Sequence, residues 1–162
     1  MMILIGIDTG VKTGFAHSID GVLQDVSTQT ILSAQDRVLE IRDEAAQSDV
    51  KLVVCIEDVR KRKWVDHSIG KERLKGVGSV TRDCSIWQEF CERNGLRHIL
   101  VPPSHIDTKR NAEDFEMITG WTARTSEHAR DAGMMIYKYH RLIDKGVVDV
   151  PAPKPIKKRG SK

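Results

Sequence analysis

The sequence predicts an α/β protein built on a mixed five-stranded sheet with helices on both faces. Residues 2–8 and 51–57 are almost continuously apolar, which is typical of strands covered on both sides. Asp20-Gly21 separates two further strand patterns and is a strong signal for a two-residue hairpin turn. Strand and helix patterns alternate after this hairpin. The order β-β-β-α-β-α-β-α-α therefore favours a sheet that combines an antiparallel hairpin meander with parallel strands.

The N-terminal half holds most of the predicted sheet. The hairpin strands are expected at residues 14–19 and 22–32. Ser33 is the expected N-cap of a helix that continues to about Gln47, because apolar residues recur there near helical spacing. Residues 51–57 follow as the fourth strand.

A polar, basic segment then precedes the central helix. Gly70, Gly76 and Gly78 favour a loop, so the helix is expected only from about Val80 to Arg93, before an Asn-Gly stop signal. The later elements are a strand, a short helix and a long helix, expected at residues 97–101, 111–119 and 126–144.

The length of 162 residues suits a single domain, predicted over residues 1–146 and followed by a flexible basic tail at 147–162. The net charge is only +3, but it is unevenly distributed. Residues 60–82 carry eight Lys or Arg against two acids, and residues 151–162 carry five against none. Basic appendages on an acidic body suit a protein that grips a phosphate backbone.

No apolar run approaches the roughly 20 residues that span a bilayer, so we expect no membrane partner. The start of the chain lacks a cationic leader, which favours a cytoplasmic location. The cysteines are odd in number and have no metal-ligand spacing, so we expect buried, reduced thiols. They are Cys55, Cys84 and Cys91.

Two acids end the two most apolar strands. If the strands are parallel neighbours, Asp8 and Glu57 emerge at the same carboxyl edge of the sheet, where open α/β folds bind ligands. Their mutual repulsion calls for a cation, and Mg²⁺ prefers such hard oxygen ligands. For either acid taken alone, an ordinary strand end is the favoured interpretation.

The segment TSEHARDAGMMIY supplies further ligands. His128 and Asp131 are three residues apart and share a helix face, and the small residues beside them permit close approach to a sheet. Docked across the strand ends, this helix would complete a set of carboxylates and an imidazole suited to two Mg²⁺ ions. Glu127 is a rival ligand, although a first-turn acid also complements the helix dipole.

Three motifs, in this order, resemble the RuvC-type Holliday-junction resolvases of the RNase H-like superfamily. IGIDTGVKTGFA resembles their first strand and turn, and VVCIEDVRKRK resembles their second acidic strand and basic loop. EHARDA resembles their last active-site helix, whose first position is an acid in some members and His in others. KGVGSVTRDCSIW resembles the helix that helps to form their homodimer. The short chain and the unusual 103–125 stretch are more similar to phage-encoded members.

The resemblance implies an RNase H-like fold and a Mg²⁺-dependent endonuclease that cuts four-way DNA junctions by paired symmetric nicks. It implies a homodimer in a bacterial or phage-infected cell, with two Mg²⁺ ions per active site and Mn²⁺ as a substitute. The products would carry a 5′ phosphate and a 3′ hydroxyl. The residues implied to be catalytic and metal-binding are Asp8, Glu57, His128 and Asp131.

Phosphate contacts are predicted beside these acids. A basic loop follows Glu57 directly, and Trp64 within it suits stacking on a base exposed at the junction centre. A solvated loop with Trp64 packed on the protein is the alternative. The predicted DNA-contacting residues are Arg60, Lys61, Arg62, Lys63, Trp64, Lys75, Arg82 and Lys109.

Other functions remain open at this point. An RNase H-like nuclease for flaps, other branched structures or RNA–DNA hybrids would share the fold and the acids. A non-catalytic junction-binding module is disfavoured, because acids at a DNA surface cost affinity unless metals neutralise them. Actin-like ATPases and sugar kinases also open with Asp-Thr-Gly and a hairpin, but they need two such lobes and a much longer chain.

Overall fold

The computed structural model describes residues 1–61 and 71–155. The strands of this part are β1 (Met2–Asp8), β2 (Thr13–Ile19), β3 (Val22–Gln29), β4 (Lys51–Glu57) and β5 (His98–Val101). They form one sheet in the order β3-β2-β1-β4-β5. The pairs β1–β2 and β2–β3 are antiparallel, whereas β1–β4 and β4–β5 are parallel. The predicted mixed five-stranded sheet is therefore confirmed.

The hairpin between β2 and β3 turns at the predicted dipeptide. Asp20 and Gly21 have φ angles of 46° and 83°. Left-handed conformations at both positions are those of a type I′ turn, whose twist matches that of the strands it joins. The pairing of Ile19 with Val22 leaves these two residues as the whole loop.

The helices of the described part are α1 (Ile31–Ala45), α2 (Lys71–Arg93), α3 (Ala112–Thr119) and α4 (Glu127–Asp144). Single 3₁₀ turns lie at Val59–Lys61 and Pro103–His105. No helix of residues 1–61 and 71–155 is long and apolar enough to cross a membrane.

The start of α1 differs from the expectation. The N-cap is Thr30, whose hydroxyl oxygen accepts a hydrogen bond from the Ser33 backbone N–H, and Ser33 already lies within the helix. Strand β3 therefore ends at Gln29 instead of residue 32. Thr and Ser both cap helices well. Here Thr30 takes the role because the buried α1 face begins at Ala34, one turn after this cap.

The start of α2 was also predicted wrongly. The helix begins at Lys71 and runs through Gly76 and Gly78, which were expected in a loop. Each glycine costs a helix interior about 1 kcal/mol relative to alanine. The later turns of α2 bury Cys84 and Trp87, and this packing offsets the local cost.

Helices cover both faces of the sheet. One apolar cluster joins the side chains of α1 and α2 to one face, with Trp87 fully buried and in edge-to-face contact with Phe90. The other cluster joins α3 and α4 to the opposite face. All three cysteines are free and buried, as expected. The face covered by α4 is the one that carries the candidate site.

Candidate active site

Asp8 and Glu57 end adjacent parallel strands. Ile7 of β1 pairs with Ile56 of β4, so the two carboxylates that follow leave the sheet at the same edge. Both residues are buried, with 7% and 8% of their surface exposed. Strand alternation puts them on the α4 face, together with Leu4.

Two glycines allow α4 to lie directly on the sheet. A Cβ atom at Gly14 would stand 2.0 Å from the carbonyl oxygen of His128 and 2.9 Å from the Asp8 Cβ. A Cβ at Gly6 would stand 2.5 Å from the carbonyl oxygen of Ala132. The helix backbone therefore occupies space that any larger residue would fill. This close approach brings the first turn of α4 to the end of β1.

The first turn of α4 brings His128 to Asp8. Ser126 caps the helix, because its hydroxyl oxygen accepts a hydrogen bond from the Ala129 backbone N–H. The Nδ1 atom of His128 then lies 2.9 Å from Oδ2 of Asp8. When Asp8 is ionised its carboxylate only accepts, and Nδ1 then donates the hydrogen of this bond. Glu127 stays exposed in the first turn, where an acid complements the helix dipole.

Asp131 lies one turn further along α4, among other acids. Partial burial raises the pKa of its carboxyl, and the nearby Glu57 and Glu127 carboxylates raise it further. The Lys109 backbone N–H and the His128 ring act in the opposite direction. This N–H donates to Asp131 Oδ1 at 3.1 Å. The influence of Glu57 on Asp131 means that α4 and β4 carry their acids to a common region.

Cys84 links the two acidic strand ends from the other side. Its Sγ atom lies 3.3 Å from the Thr9 hydroxyl and 3.4 Å from the Glu57 carbonyl oxygen. Burial raises the pKa of the Cys84 thiol, so it remains protonated and acts as a small packing group. The sequence predicted a buried Cys84 but not its contact with Thr9 and Glu57. The polar Thr9 directly after Asp8 was the local feature that could have suggested it.

The predicted DNA-contacting residues differ in how they are held. The guanidinium of Arg60 is 2.7 Å from the buried Asp58 carboxylate and also donates to Gln88. The Lys61 ammonium donates to the Leu100 carbonyl oxygen at 3.0 Å. The side chains of Lys75, Arg82 and Lys109 are exposed. Arg62, Lys63 and Trp64 lie outside the described residues.

The donor set fits a hard divalent cation by its chemistry. Among the described residues, no three His, Cys, Asp or Glu side chains stand close enough together to hold a metal ion. The set nevertheless gathers carboxylates from β1, β4 and α4 at one edge, with the His128 ring beside them. Because Glu57 raises the pKa of Asp131, an added positive charge would be stabilised there. Carboxylate oxygens are the ligands that Mg²⁺ and Mn²⁺ prefer.

Two solved structures of RuvC from Thermus thermophilus resemble this chain. RuvC in complex with its Holliday junction substrate matches with a TM-score of 0.61 and 15% identity, over 93% of this chain and 100% of that chain. A second RuvC structure matches with a TM-score of 0.53 and 14% identity, over the same shares. No family model and no curated protein matches the sequence. The chain thus has a RuvC-type fold of the RNase H-like class.

Proposed function

We propose that this protein is a metal-dependent, structure-selective endodeoxyribonuclease that resolves four-way DNA junctions by paired symmetric nicks. The observation that carries the proposal is the RuvC-type fold, in which Asp8 and Glu57 end neighbouring parallel strands and His128 bonds to Asp8. A structural relative of this fold is a RuvC bound to a Holliday junction. The acidic edge and the basic character of residues 60–82 agree with a nuclease that holds a phosphate backbone.

Asp8, Glu57, His128 and Asp131 would hold the metal ions, two Mg²⁺ per active site, with Mn²⁺ as a substitute. When bound, such ions supply positive charge that favours ionisation of the attacking water and stabilises the leaving oxygen. The reaction is hydrolysis of a phosphodiester. The water oxygen bonds to phosphorus while the bond to the 3′ oxygen breaks, which leaves a 5′ phosphate and a 3′ hydroxyl.

The residues of the chain orient the site for this chemistry. Asp8 and Glu57 are presented by buried strands, whose backbone positions are fixed by pairing on both sides. The His128 ring is oriented by its bond to Asp8 and is half exposed, so it can reach a bound phosphate or hold a proton at Nε2. Asp131 is oriented by the Lys109 N–H. Such preorganisation lowers the cost of assembling the reactive geometry.

Exposed cations around the site would hold the DNA. Lys75 and Arg82 on α2, and Lys109 beside Asp131, are available to backbone phosphates. Arg60 and Lys61 begin the basic segment that continues with Arg62, Lys63 and Trp64. Asp58 already neutralises much of the Arg60 charge, so we assign Arg60 the weaker phosphate contact.

A four-way junction has two-fold symmetry, and a homodimer would present two active sites to it. The α2 surface suits such an interface, because Ile86 is exposed there one turn before the partly buried Phe90. We further propose a nuclease domain over residues 1–146, a basic tail at 147–162 and a cytoplasmic role in a bacterial or phage-infected cell, as a phage-type member.

The test is a strand-resolved cleavage assay on a synthetic four-way junction, with matched flap, RNA–DNA hybrid and linear duplex substrates, with and without Mg²⁺. We expect symmetric paired nicks in the junction that require Mg²⁺ and are absent in Asp8→Asn. Asp8→Asn should still bind the junction, because the substitution removes a negative charge that faces the phosphates. Equal cutting of flaps or hybrids would assign a broader nuclease. Tight binding without any cutting would assign a binding module.

A further inference from the structure

The segment between β5 and α3 crosses the candidate site at Asp131. Within it, the Lys109 backbone N–H donates to Asp131 Oδ1 at 3.1 Å. Lys109 has a φ angle of 63°, a left-handed conformation that is unfavourable for a residue with a side chain. Such strain persists only where surrounding contacts hold it, and it is frequent at functional sites. Contacts from Arg130, Arg110 and Asn111 hold the backbone around Lys109.

Arg130 provides those contacts from the helix itself. Its Nε donates to the Arg110 carbonyl oxygen at 2.7 Å, directly after Lys109. Its Nη1 donates to the Thr125 carbonyl oxygen at 3.0 Å and to the Thr125 hydroxyl at 3.2 Å. One guanidinium thus ties together the segment before α3 and the segment before α4. Arg130 is also the residue that immediately precedes Asp131.

The far side of Lys109 is held as well. The Arg110 guanidinium pairs with the Asp107 carboxylate. The Asn111 side chain accepts from the Asp114 backbone N–H and caps α3. With Arg130 on the Arg110 carbonyl, the backbone around Lys109 has little freedom to turn. Its N–H is consequently directed at Asp131.

Asp131 needs such a donor, because it has acids on two sides. Glu57 lies across from it and Glu127 lies one turn earlier on α4. Repulsion from these carboxylates would favour rotation of the Asp131 side chain toward solvent. The Lys109 N–H bonds Oδ1 and restrains that rotation, and Oδ2 takes no part in this bond. Hydrogen bonds of this kind commonly orient metal-binding carboxylates.

We propose that Arg130 is a positioning residue, which holds the Lys109 N–H on Asp131 Oδ1 and so fixes the Asp131 carboxylate for a divalent cation. The inference rests on the proposed function, since it concerns the same site. It assigns the backbone of Lys109 to the metal site and leaves its side chain for DNA. It also gives a role to part of the unusual 103–125 stretch.

The experiment compares the wild type with Arg130→Ala and Arg130→Lys, with Arg141→Ala as the control. Arg141 is an exposed arginine on the same helix that contacts Tyr137. Lysine keeps the charge and the aliphatic stem but cannot reach both carbonyl oxygens with a planar fork. Amide hydrogen exchange of Lys109 is followed by NMR, and Mn²⁺ alone is titrated into DNA-free protein and followed by electron paramagnetic resonance.

We expect the Lys109 amide to be protected in the wild type and in Arg141→Ala, and to lose protection in both Arg130 variants and in Asp131→Ala. The Mn²⁺ dissociation constant of the Arg130 variants should rise about 10- to 100-fold, the usual cost of losing a partner of a metal ligand. If Arg130→Ala does not fold, the Arg130→Lys variant and the exchange rate of the wild-type Lys109 amide still test the proposal.

The proposal is overturned if the wild-type Lys109 amide exchanges at its intrinsic unprotected rate. It is also overturned if Arg130→Lys matches the wild type in both protection and Mn²⁺ affinity. Junction cleavage by Asp131→Ala distinguishes failure of the Arg130 proposal from failure of the proposed function. Normal cleavage by that variant would remove Asp131 from the active site. Loss of cleavage together with an unaffected Arg130→Lys would reject only the positioning role.

Discussion

The Nδ1 atom of His128 lies 2.9 Å from Oδ2 of Asp8, although the two residues are 120 positions apart in the chain. Asp8 ends the central strand of the sheet and is buried, whereas His128 is half exposed in the first turn of α4. The bond therefore joins a buried acid at the end of the central strand to a half-exposed ring on α4. Any change that moves the start of α4 also changes the orientation of the Asp8 carboxylate.

Replacing His128 tests this pair. His128→Ala should lower the single-turnover rate of junction cleavage by at least about 10- to 100-fold, because it removes both a proposed metal ligand and the partner of Asp8. Junction affinity should change little, because the Lys and Arg side chains are the proposed contacts to the backbone phosphates. Cleavage and filter binding are measured on the same preparation. An unchanged rate would exclude His128 from the site.

Gly14→Ala should disrupt the docking of α4. The added methyl group would meet the His128 carbonyl oxygen at 2.0 Å, so the first turn of the helix must shift. We expect Gly14→Ala to slow junction cleavage by up to about 10²-fold, because a displacement of reacting groups by about 1 Å can cost that much in rate. We also expect overpacking to lower the free energy of unfolding by about 1–3 kcal/mol. The rate is measured at a temperature where the variant is folded.

Gly78→Ala is the matched control for this substitution. Nothing lies within 4 Å of its Cβ position in α2, so alanine should stabilise the protein by about 0.5–1 kcal/mol. Thermal unfolding of the two variants gives the comparison. Wild-type cleavage by Gly14→Ala would contradict the close packing of α4 on β2.

Asp131→Asn should stabilise the metal-free protein at neutral pH. Burial and neighbouring acids raise the pKa of Asp131 above its ordinary value of 3.8. Folding therefore favours the protonated form, and stability is lost as the pH rises from the ordinary to the raised value. Asparagine carries no charge, so the variant should melt at a higher temperature than the wild type at pH 7.5.

Changes of pH and addition of Mg²⁺ provide two controls for Asp131→Asn. The difference in melting temperature should shrink as the pH falls through the raised pKa, where the wild-type carboxyl also takes up a proton. Mg²⁺ should raise the melting temperature of the wild type more than that of Asp131→Asn. A variant that is less stable than the wild type at pH 7.5 would contradict the prediction.

His17 should make stability depend on pH in the opposite sense. Burial lowers its pKa below the ordinary 6.5, and the Arg37 cation lowers it further. The neutral ring is favoured in the native state, so stability is present above pH 6.5 and is lost as the pH falls below that value. His17→Leu should reduce this loss, by at most about 1.4 kcal/mol per pH unit. Urea unfolding at pH 8 and pH 5.5 measures the free energy of unfolding of both proteins. An equal decrease between these pH values in the wild type and in His17→Leu would refute the prediction.

Lys109→Gly separates the side chain of Lys109 from its backbone. Loss of one phosphate contact should reduce the slope of log affinity against log salt by about 0.9, and weaken junction binding at low salt. Lys145→Ala, an exposed lysine at the opposite end of α4, should leave the slope unchanged. An unaltered slope in Lys109→Gly would remove this side chain from the DNA interface.

The fold was predictable wherever a local pattern coincided with burial. The bounds of β1 and β4 were correct, because continuous apolar runs mark strands covered on both faces. The start of α4 was correct, because Ser126 is a strong cap before an amphipathic face. The starts of α1 and α2 were wrong. At the start of α1, Thr30 and Ser33 are both good caps, and the pattern does not decide between them. At the start of α2, the helix includes Gly76 and Gly78 because its later turns pack into the core.

The candidate site was predictable only in part for a related reason. Asp8 and Glu57 end their strands, and His128 and Asp131 share a helix face, so their proximity follows from topology and helical spacing. The contact of Lys109 with Asp131 depends on the path of an irregular segment, and no periodic pattern encodes that path. The pairing of Arg60 with Asp58 was likewise hidden, because both residues lie in a charge-rich stretch in which many pairings are possible.

The packing of α4 has a consequence for how the site can come apart. This helix carries His128 and Asp131 in its first turns, and Ala132, Met135, Ile136 and Tyr139 bury its following turns in the core. Releasing the helix would expose that core, so α4 should open only with the cooperative unfolding of the whole domain. The fraction of molecules with an assembled site then equals the folded fraction, and activity and unfolding should share one denaturant midpoint.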